Sequence, residues 1–277
     1  MAESAFQVQY RQEFIAGFEQ NQSLVRDTVT TESVIKGNQA TFLVADSGDA
    51  TPVTRGLNGL IPGRADNLVQ NTATLVEWHD KPVKTGFNIF ASQGDQRRIM
   101  QHTTMAVMNR KMDQDVIAEM NNNATQDTGA SQQGSLSLVT YATTILGNNE
   151  VPMDGNISAL ITPAFHAYLL QTKEFASADY VNNKPFTSAL TMFRWAGCNF
   201  IVHPNLPGKA TATEKCFFYH KNAIGHAVDA GGMSLEVGYV GEHRYSWALC
   251  TVYMGAKLLQ NSGVVVVNHD GSGFAAQ

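Results

Sequence analysis

The chain has 277 residues and a formal net charge of -5 at pH 7, which argues against tight, generic binding to nucleic acid. Charged residues make up only 16% of the sequence, so the surface is expected to be weakly charged and suited to extensive protein–protein contact. The length allows a large core in one or two domains, and the sequence predicts neither a membrane span nor a signal peptide.

The first 35 residues begin with an aromatic side chain at every fourth position, which predicts one face of a helix. These side chains are Phe6, Tyr10, Phe14 and Phe18. A terminal helix with so large an apolar face must dock on its own core or on a neighbouring subunit, and the pattern leaves both open.

Two strand patterns, at residues 38–45 and 72–79, flank a loop that holds four glycines and two prolines within residues 46–66. A loop of this length is uncommon inside a compact domain. The pattern therefore predicts an extended hairpin arm that reaches away from the body. Residues 85–90 are expected to lead into a long helix.

The long helix is predicted over residues 92–122. Ser92 can cap its N-terminus, Asp95 can complete a capping box, and no proline or glycine interrupts the run from Asp95 to Ala124. Its apolar face is expected to pack on the sheet that contains residues 247–259. The apolar face comprises Ile99, Met100, Met105, Val107, Met108, Met112, Val116, Ile117 and Met120.

The charged side chains of this helix are expected on a face that turns to solvent or to neighbouring subunits. They are Arg97, Arg98, Arg110, Lys111, Asp113, Asp115 and Glu119. Asp115 and Glu119 lie four residues apart and could pair as acid and base, but a solvated face explains them better.

The rest of the chain alternates predicted helices and strands, which is typical of helices covering a sheet. The predicted helices are 137–146, one that begins at Thr162-Pro163, about 187–195, and 222–228. The predicted strands are 157–161, 199–202, 216–219, 235–240, 247–259 and 264–268. The strand at 247–259 is apolar on both faces, which predicts a central position.

Recognisable catalytic chemistry is missing from the sequence. It contains eight histidines but no H-E-x-x-H, Cys-x-x-Cys, G-x-S-x-G or phosphate-loop pattern. His220 and His226, six residues apart, form a weak metal pair at best. The three cysteines, Cys198, Cys216 and Cys250, are widely spaced, which predicts buried thiols and no disulfide framework. No catalytic residue, metal or cofactor is therefore predicted.

In this order the parts resemble the major capsid proteins of tailed bacteriophages, above all of short-tailed phages, which share the HK97-type shell fold. Residues 59–64 (GLIPGR) with 72–79 (TATLVEWH) resemble the family's hairpin arm, the E-loop, and 92–122 resembles its spine helix. Residues 195–202 resemble a helix–glycine–strand step of the axial domain. Residues 253–267 resemble the closing strands of the peripheral domain.

The resemblance implies an α+β fold divided along the chain. The expected parts are an N-terminal arm (1–35), the E-loop arm (36–90), a peripheral domain with the spine helix (91–136), an α/β axial domain (137–230) and return strands of the peripheral domain (231–277). The residues expected to contact other subunits are Phe6, Tyr10, Phe14, Phe18, Arg55, Leu60, Ile61 and Arg64.

The same resemblance implies a structural protein of the virion that assembles in the host cytoplasm, through pentamers and hexamers, into an icosahedral shell around phage DNA. Its expected partners are copies of itself, a scaffold and a portal protein, and double-stranded DNA in loose, non-specific contact. Because the arm begins almost at Met1, either a separate scaffold or a mature form is expected. Two alternatives are an encapsulin-like compartment subunit with protein cargo, and a soluble α/β enzyme whose Gly-rich arm is a lid.

Overall fold

The computed structural model describes residues 20, 22–34, 36–47, 50–59, 61–65, 67–91, 96–176 and 192–274, with side chains except at 89–91, 96 and 97. The helices are α1 (Gly86–Ala91), α2 (Gln96–Asn123), α3 (Leu136–Asn148), α4 (Pro163–Gln171) and α5 (Lys173–Ala176). The strands of the first half are β1 (Thr30–Val34), β2 (Gln39–Asp46), β3 (Asn67–Thr74), β4 (Val76–Asp80), β5 (Val83–Thr85) and β6 (Ile157–Ile161). Those of the second half are β7 (Met192–Trp195), β8 (Cys198–Val202), β9 (Glu214–His220), β10 (Ile224–Asp229), β11 (Ser234–Val240), β12 (Tyr245–Leu258) and β13 (Val264–His269).

Within the described residues these strands form three sheets. The long strand β12 is the centre of a six-stranded sheet, with β10 and β11 along one edge and β4 and β5 along the other, and β1 continues the sheet beside β10. A five-stranded sheet has the order β13-β9-β6-β8-β7, and β2 and β3 form a separate antiparallel hairpin. The predicted central position of β12 is confirmed.

The main core surrounds the five-stranded sheet. It joins β6, β8, β9 and β13 to the apolar faces of α3 and α4, and it includes the C-terminal half of α2. Capping residues mark the beginning of both helices, α3 and α4, that cover this sheet. The hydroxyl of Ser135 accepts from the backbone of Leu138 at the start of α3, and Thr162 accepts from Phe165 at the start of α4, where Pro163 takes the first helical position. The predicted helix start at Thr162-Pro163 is confirmed.

The middle of α2 packs on the six-stranded sheet. Met108 and Met112 form a cluster with Cys250, Val252 and Met254 of β12. Its 28 residues give a rod of about 42 Å at about 1.5 Å per residue. The predicted start at Ser92 lies outside the described residues. Met105, assigned from the sequence to the buried face, is instead 49% exposed, because the buried row in this part of the helix runs through Met100, Thr104 and Met108 and Met105 is one residue away from that row.

The sequence assignment of residues 187–195 as a helix is wrong where it can be compared, since Met192–Trp195 is strand β7. Ala196 (φ 49°) and Gly197 (φ 79°) both adopt the left-handed conformation that a two-residue hairpin turn requires. The hairpin stacks the ring of Phe193 on that of Phe200, with centroids 5.0 Å apart. Residues 195–202 therefore form the turn and the second strand of a hairpin. The expected helix–glycine–strand step is not present, because Trp195 ends a strand.

One further assignment needs correction. Residues 222–228 were expected to be helical, but a 3-10 turn over Lys221–Ala223 leads into β10, which lies between β1 and β12. A short apolar run fits either structure, and here the neighbouring strands decide.

The two closing strands lie in different sheets. β12 is the centre of the six-stranded sheet, whereas β13 pairs with β9 at the edge of the five-stranded sheet. The strand predicted at 72–79 is divided between β3, which pairs with β2, and β4, which pairs with β12. The other predicted strands, and the helix at 137–146, are present within two residues of the expected bounds. The division of the chain into five parts stays a prediction.

Candidate subunit-contact surfaces

The hairpin arm, here residues 39–74, is anchored at its base and exposed towards its tip. Ala40 and Phe42 of β2 and Ala73 of β3 are buried against Val34 and Ala227 of the body. The two strands pair from Gln39–Thr74 out to Asp46–Asn67, where the side chain of Asn67 donates to that of Asp46. The loop beyond this pair contains little regular structure in its described part, as the glycines and prolines predict.

Apolar side chains stand exposed along this arm. At the tip, Val53 is 60%, Leu57 108% and Ile61 64% exposed. Leaving large apolar groups in water is unfavourable by about 25 cal/mol per Å². Such a cluster on a projecting element is typical of a surface that another molecule covers.

The predicted contact residues of the arm lie on this exposed surface. Arg55, Ile61 and Arg64 are all exposed. Leu60 and the four N-terminal aromatic residues, Phe6, Tyr10, Phe14 and Phe18, lie outside the described residues.

The six-stranded sheet has a second apolar surface, on the face opposite α2. Trp247, Leu249 and Tyr253 of β12 point to this face and are partly or largely exposed, and Val83 of β5 is 54% exposed beside Trp247. The ammonium of Lys81 lies 5.0 Å from the Trp247 ring centroid, a cation–π distance.

Strand β11 adds a third apolar surface that sequence reasoning missed. Leu235, Val237 and Tyr239 are each more than 40% exposed, and they share one face of the strand. The alternation of these residues with Glu236 and Gly238 is the period-two signal that could have identified a surface strand. A strand with exposed apolar residues at a sheet edge is typical of a pairing surface.

The carboxylates of α2 are engaged by other side chains and are not on a freely solvated face, contrary to the sequence expectation. Asp115 accepts an ion pair from Lys111 at 2.8 Å, and the Lys111 ammonium also lies 3.8 Å from the centroid of Trp78. Glu119 pairs with Lys257 at 3.4 Å and accepts from the backbone of Leu258 at 3.0 Å. Asp115 is thus paired within α2, whereas Glu119 fastens the helix to β12. Neither carboxylate pairs with the other.

Asp113 departs most from expectation, because its side chain is completely buried. Sequence periodicity placed it on a solvated face, but the C-terminal half of α2 is enclosed on more than one side. The segment before β1 crosses the helix here and donates hydrogen bonds to this carboxylate. No signal in the local sequence distinguishes Asp113 from the other charged residues of α2.

Three buried histidines hydrogen bond to carboxylates. His203 contacts Asp113 at 3.3 Å and His220 contacts Asp154 at 3.2 Å, in each case through Nε2. The Nδ1 of both rings accepts a backbone N–H from two residues further on, at 3.1 and 3.2 Å. With both ring nitrogens occupied, these histidines are placed to hold loops and not to exchange protons with a substrate.

The third pair lies inside the five-stranded sheet. Glu214, 1% exposed, accepts from Nδ1 of His269 at 2.8 Å and from the hydroxyl of Thr162 at 2.7 Å. The His269 ring lies edge-on to Phe165, and burial lowers its pKa although the bond to Glu214 opposes this. Glu214 thus ties the C-terminal strand to the start of α4.

Within the described part of the chain, no group of three or more His, Cys, Asp or Glu side chains could hold a metal ion. No helix in that part is long and apolar enough to cross a membrane. The three cysteines are free and buried, as expected, and burial raises the pKa of Cys198 to about 11 and that of Cys216 to about 12. Both thiols therefore stay protonated at neutral pH.

Comparisons with known proteins agree with a shell subunit. A model of a phage capsid protein family matches residues 2–271, nearly the whole chain. The chain belongs to the phage capsid protein family. A search of curated proteins found no match.

Solved structures of phages and of a GTA particle share the fold of this capsid protein at low sequence identity. The capsid of cyanophage P-SCSP1u is similar with a TM-score of 0.73 and 13% identity, over 96% of this chain and 93% of that chain. A structure of Mycobacterium phage Che8 is similar with a TM-score of 0.74 and 15% identity, over 97% of this chain and 98% of that chain. The capsid of a native GTA particle is also similar, with a TM-score of 0.73 and 11% identity over 96% of both chains. The capsid protein has the HK97-like α+β fold, and the expected resemblance is confirmed.

The family gives the capsid protein a structural role as a major shell protein of a bacteriophage, located in the virion capsid. The family match does not favour the encapsulin-like and enzyme alternatives. The surfaces just described are consequently candidates for contacts between copies of the chain.

Proposed function

We propose that this capsid protein assembles through pentamers and hexamers into a closed icosahedral shell around double-stranded phage DNA. The exposed apolar tip of the hairpin arm supports this proposal most directly. The arm projects from the subunit and buries little of its own apolar surface, so it gains stability by lying on a neighbouring copy. The uncovered sheet face around Trp247 offers an apolar surface of the same chemistry.

Each subunit in such a shell makes several different contacts, because the arm of one copy lies on another surface of the next. Contacts of this head-to-tail kind close into rings when the rotation between copies closes. The proposed partners beyond the chain itself are a scaffold protein, a portal protein and packaged DNA, with assembly in the host bacterial cytoplasm. A net charge of -5 favours only loose contact with DNA.

The proposal assigns no turnover to any side chain. Three buried histidines, His203, His220 and His269, are bonded to carboxylates, and Asp115 and Glu119 of α2 are ion-paired. The residues proposed to carry function are therefore contact residues. They are Arg55, Leu60, Ile61 and Arg64 of the arm sequence and Phe6, Tyr10, Phe14 and Phe18 of the N-terminal sequence.

Removing the arm tip tests the proposal. Deletion of residues 48–63 takes away the exposed apolar tip but leaves the buried base, so the subunit is expected to melt within a few degrees of the parent. Electron microscopy and sedimentation should show closed particles for the parent and unassembled subunits for the deletion. A deleted chain that still forms closed particles would contradict the proposal, and a deleted chain that unfolds would place the tip in the core.

A further inference from the structure

Asp113 is a fully buried carboxylate on which five donors converge. One comes from the body, the Nε2 of His203 at 3.3 Å. The other four come from the short segment before β1, called the strap here and defined by Gln20, Ser23, Leu24 and Val25. The strap donors are the side chains of Gln20 and Ser23 and the backbone N–H groups of Leu24 (3.0 Å) and Val25 (3.4 Å).

The hydrogen bonds fix the charge state of this carboxylate. His203 accepts the backbone N–H of Asn205 at Nδ1, so its Nε2 carries the hydrogen and donates to Asp113. Burial alone would raise the pKa of Asp113, but the hydrogen bonds from His203, Ser23 and Leu24 outweigh burial and lower it below its ordinary value. Asp113 is therefore ionised at neutral pH and accepts from all five donors.

The N-terminal segment is held to the body in two different ways. From Val25 onward the hold is apolar and extensive, since Val25 and Val29 are buried in the main core and β1 pairs in parallel with β10. Before Val25 the hydrogen bonds to the body converge on the single side chain of Asp113, and within the described residues the only apolar contact is that of partly buried Leu24 with the main core. The loss of one carboxylate would therefore loosen the strap without disturbing β1.

We propose that Asp113 is a latch for the N-terminal strap, which fixes the point on α2 where the chain preceding Gln20 joins the body. The effect of this latch on assembly rests on the proposed shell function. In a closed shell the same contact is repeated at every equivalent subunit, so each copy must present its N-terminal chain from the same point. The latch sets that point before assembly.

Hydrogen exchange of the strap amides tests the latch directly, because the Leu24 N–H donates to Asp113 itself. Asp113→Asn keeps the size of the side chain, but its amide has one oxygen and brings N–H groups towards the strap donors. Measured on the full-length protein, the Leu24 and Val25 amides are expected to exchange at least about tenfold faster, whereas the amides of β6 keep their protection. Asp115→Asn makes the same change two residues away on the ion-paired carboxylate and should leave the strap amides unchanged.

Unchanged exchange at Leu24 and Val25 in Asp113→Asn would overturn the latch. If this variant loses protection throughout the fold, the double variant Gln20→Ala, Ser23→Ala decides, since it removes two strap donors and leaves α2 intact. Faster exchange confined to the strap in the double variant supports the latch, and parental exchange overturns it.

The effect of the latch on assembly is measured separately, as the yield of closed particles. A latch variant with a loosened strap is expected to form closed particles in several-fold lower yield than the parent and the Asp115→Asn control. Parental yield would overturn the role of the latch in assembly. If the parent itself forms no particles, the proposed function fails, while the exchange data still decide whether Asp113 holds the strap.

Discussion

His226 is fully buried on β10, and neither ring nitrogen has a hydrogen-bond partner among the described residues. Burial, with a smaller effect from Arg26, lowers the pKa of His226 from 6.5 to about 4. Between these values the unfolded chain binds a proton that the folded chain does not, so stability is complete above pH 6.5 and falls as the pH falls towards 4.

The first prediction follows from this titration. Lowering the pH from 7.5 to 5 is expected to cost about 2 kcal/mol of unfolding free energy through His226 alone. His226→Leu introduces an apolar side chain of similar size that does not titrate. The unfolding free energy of this variant should therefore fall by about 2 kcal/mol less over the same pH range. Denaturant unfolding of both proteins at the two pH values measures the difference, and equal losses would assign the acid sensitivity to other groups.

Met112 and Met105 provide a matched pair on α2, because Met112 is 3% exposed against β12 and Met105 is 49% exposed. Met112→Asp places an unpaired charge among apolar side chains and is expected to cost at least about 3 kcal/mol. Met105→Asp introduces the same charge at a half-exposed position and should change stability by at most about 1 kcal/mol. Thermal melting of both variants checks the orientation of the helix, and similar losses would show that the assigned face is wrong.

The sequence predicted the apolar face of α2 better than its polar face. Met108, Met112 and Met120 repeat at helical spacing and are buried, because a helix must cover its apolar stripe. Asp113 could not be placed in the same way. Its burial depends on the strap that crosses α2 and on His203, which follows the end of β8, and periodicity within one helix contains no information about either.

At the scale of helices and strands, the sequence patterns that predicted the structure correctly are those whose cause lies within a few residues. Thr162-Pro163 begins α4 because a hydroxyl cap and a proline at the first position favour that start in any context. The hairpin through Ala196-Gly197 was missed because Ala196 rarely adopts a positive φ and the turn depends on pairing with β8. β10 was missed because its partners lie far away in the sequence.

The junction of Thr162 and Glu214 supplies the third prediction. The Thr162 hydroxyl caps α4 and also donates to the buried carboxylate of Glu214 at 2.7 Å. Thr162→Ala removes both bonds and leaves Glu214 short of a donor, so the expected loss is about 2 kcal/mol or more. Thr162→Ser retains the hydroxyl and should cost less than about 1 kcal/mol. Equal losses in chemical denaturation would show that the methyl group of Thr162 matters more than its hydroxyl.

At the scale of the whole molecule, the sequence predicted the arm but not the surface that could receive it. Glycines and prolines at residues 46–66 indicated a projecting loop, since they weaken regular structure locally. The uncovered face around Trp247 and the edge strand β11 arise from the order of strands in the six-stranded sheet. That order depends on contacts between distant parts of the chain, so local patterns could not predict it.

The last prediction separates folding from assembly at the arm tip. Leu57 is fully exposed, so Leu57→Asp removes no contact within the subunit and should leave its melting temperature unchanged. If the tip lies on an apolar surface of a neighbouring copy, the same substitution buries a charge at every equivalent contact and prevents closure of the shell. Thr51→Asp adds the same charge to an exposed position of the same loop without removing an apolar group, so it is expected to assemble like the parent. Particle counts by electron microscopy, with melting curves of the unassembled subunits, compare the three proteins. Loss of particles in both variants would indicate that added charge, and not the apolar contact of Leu57, disrupts the shell.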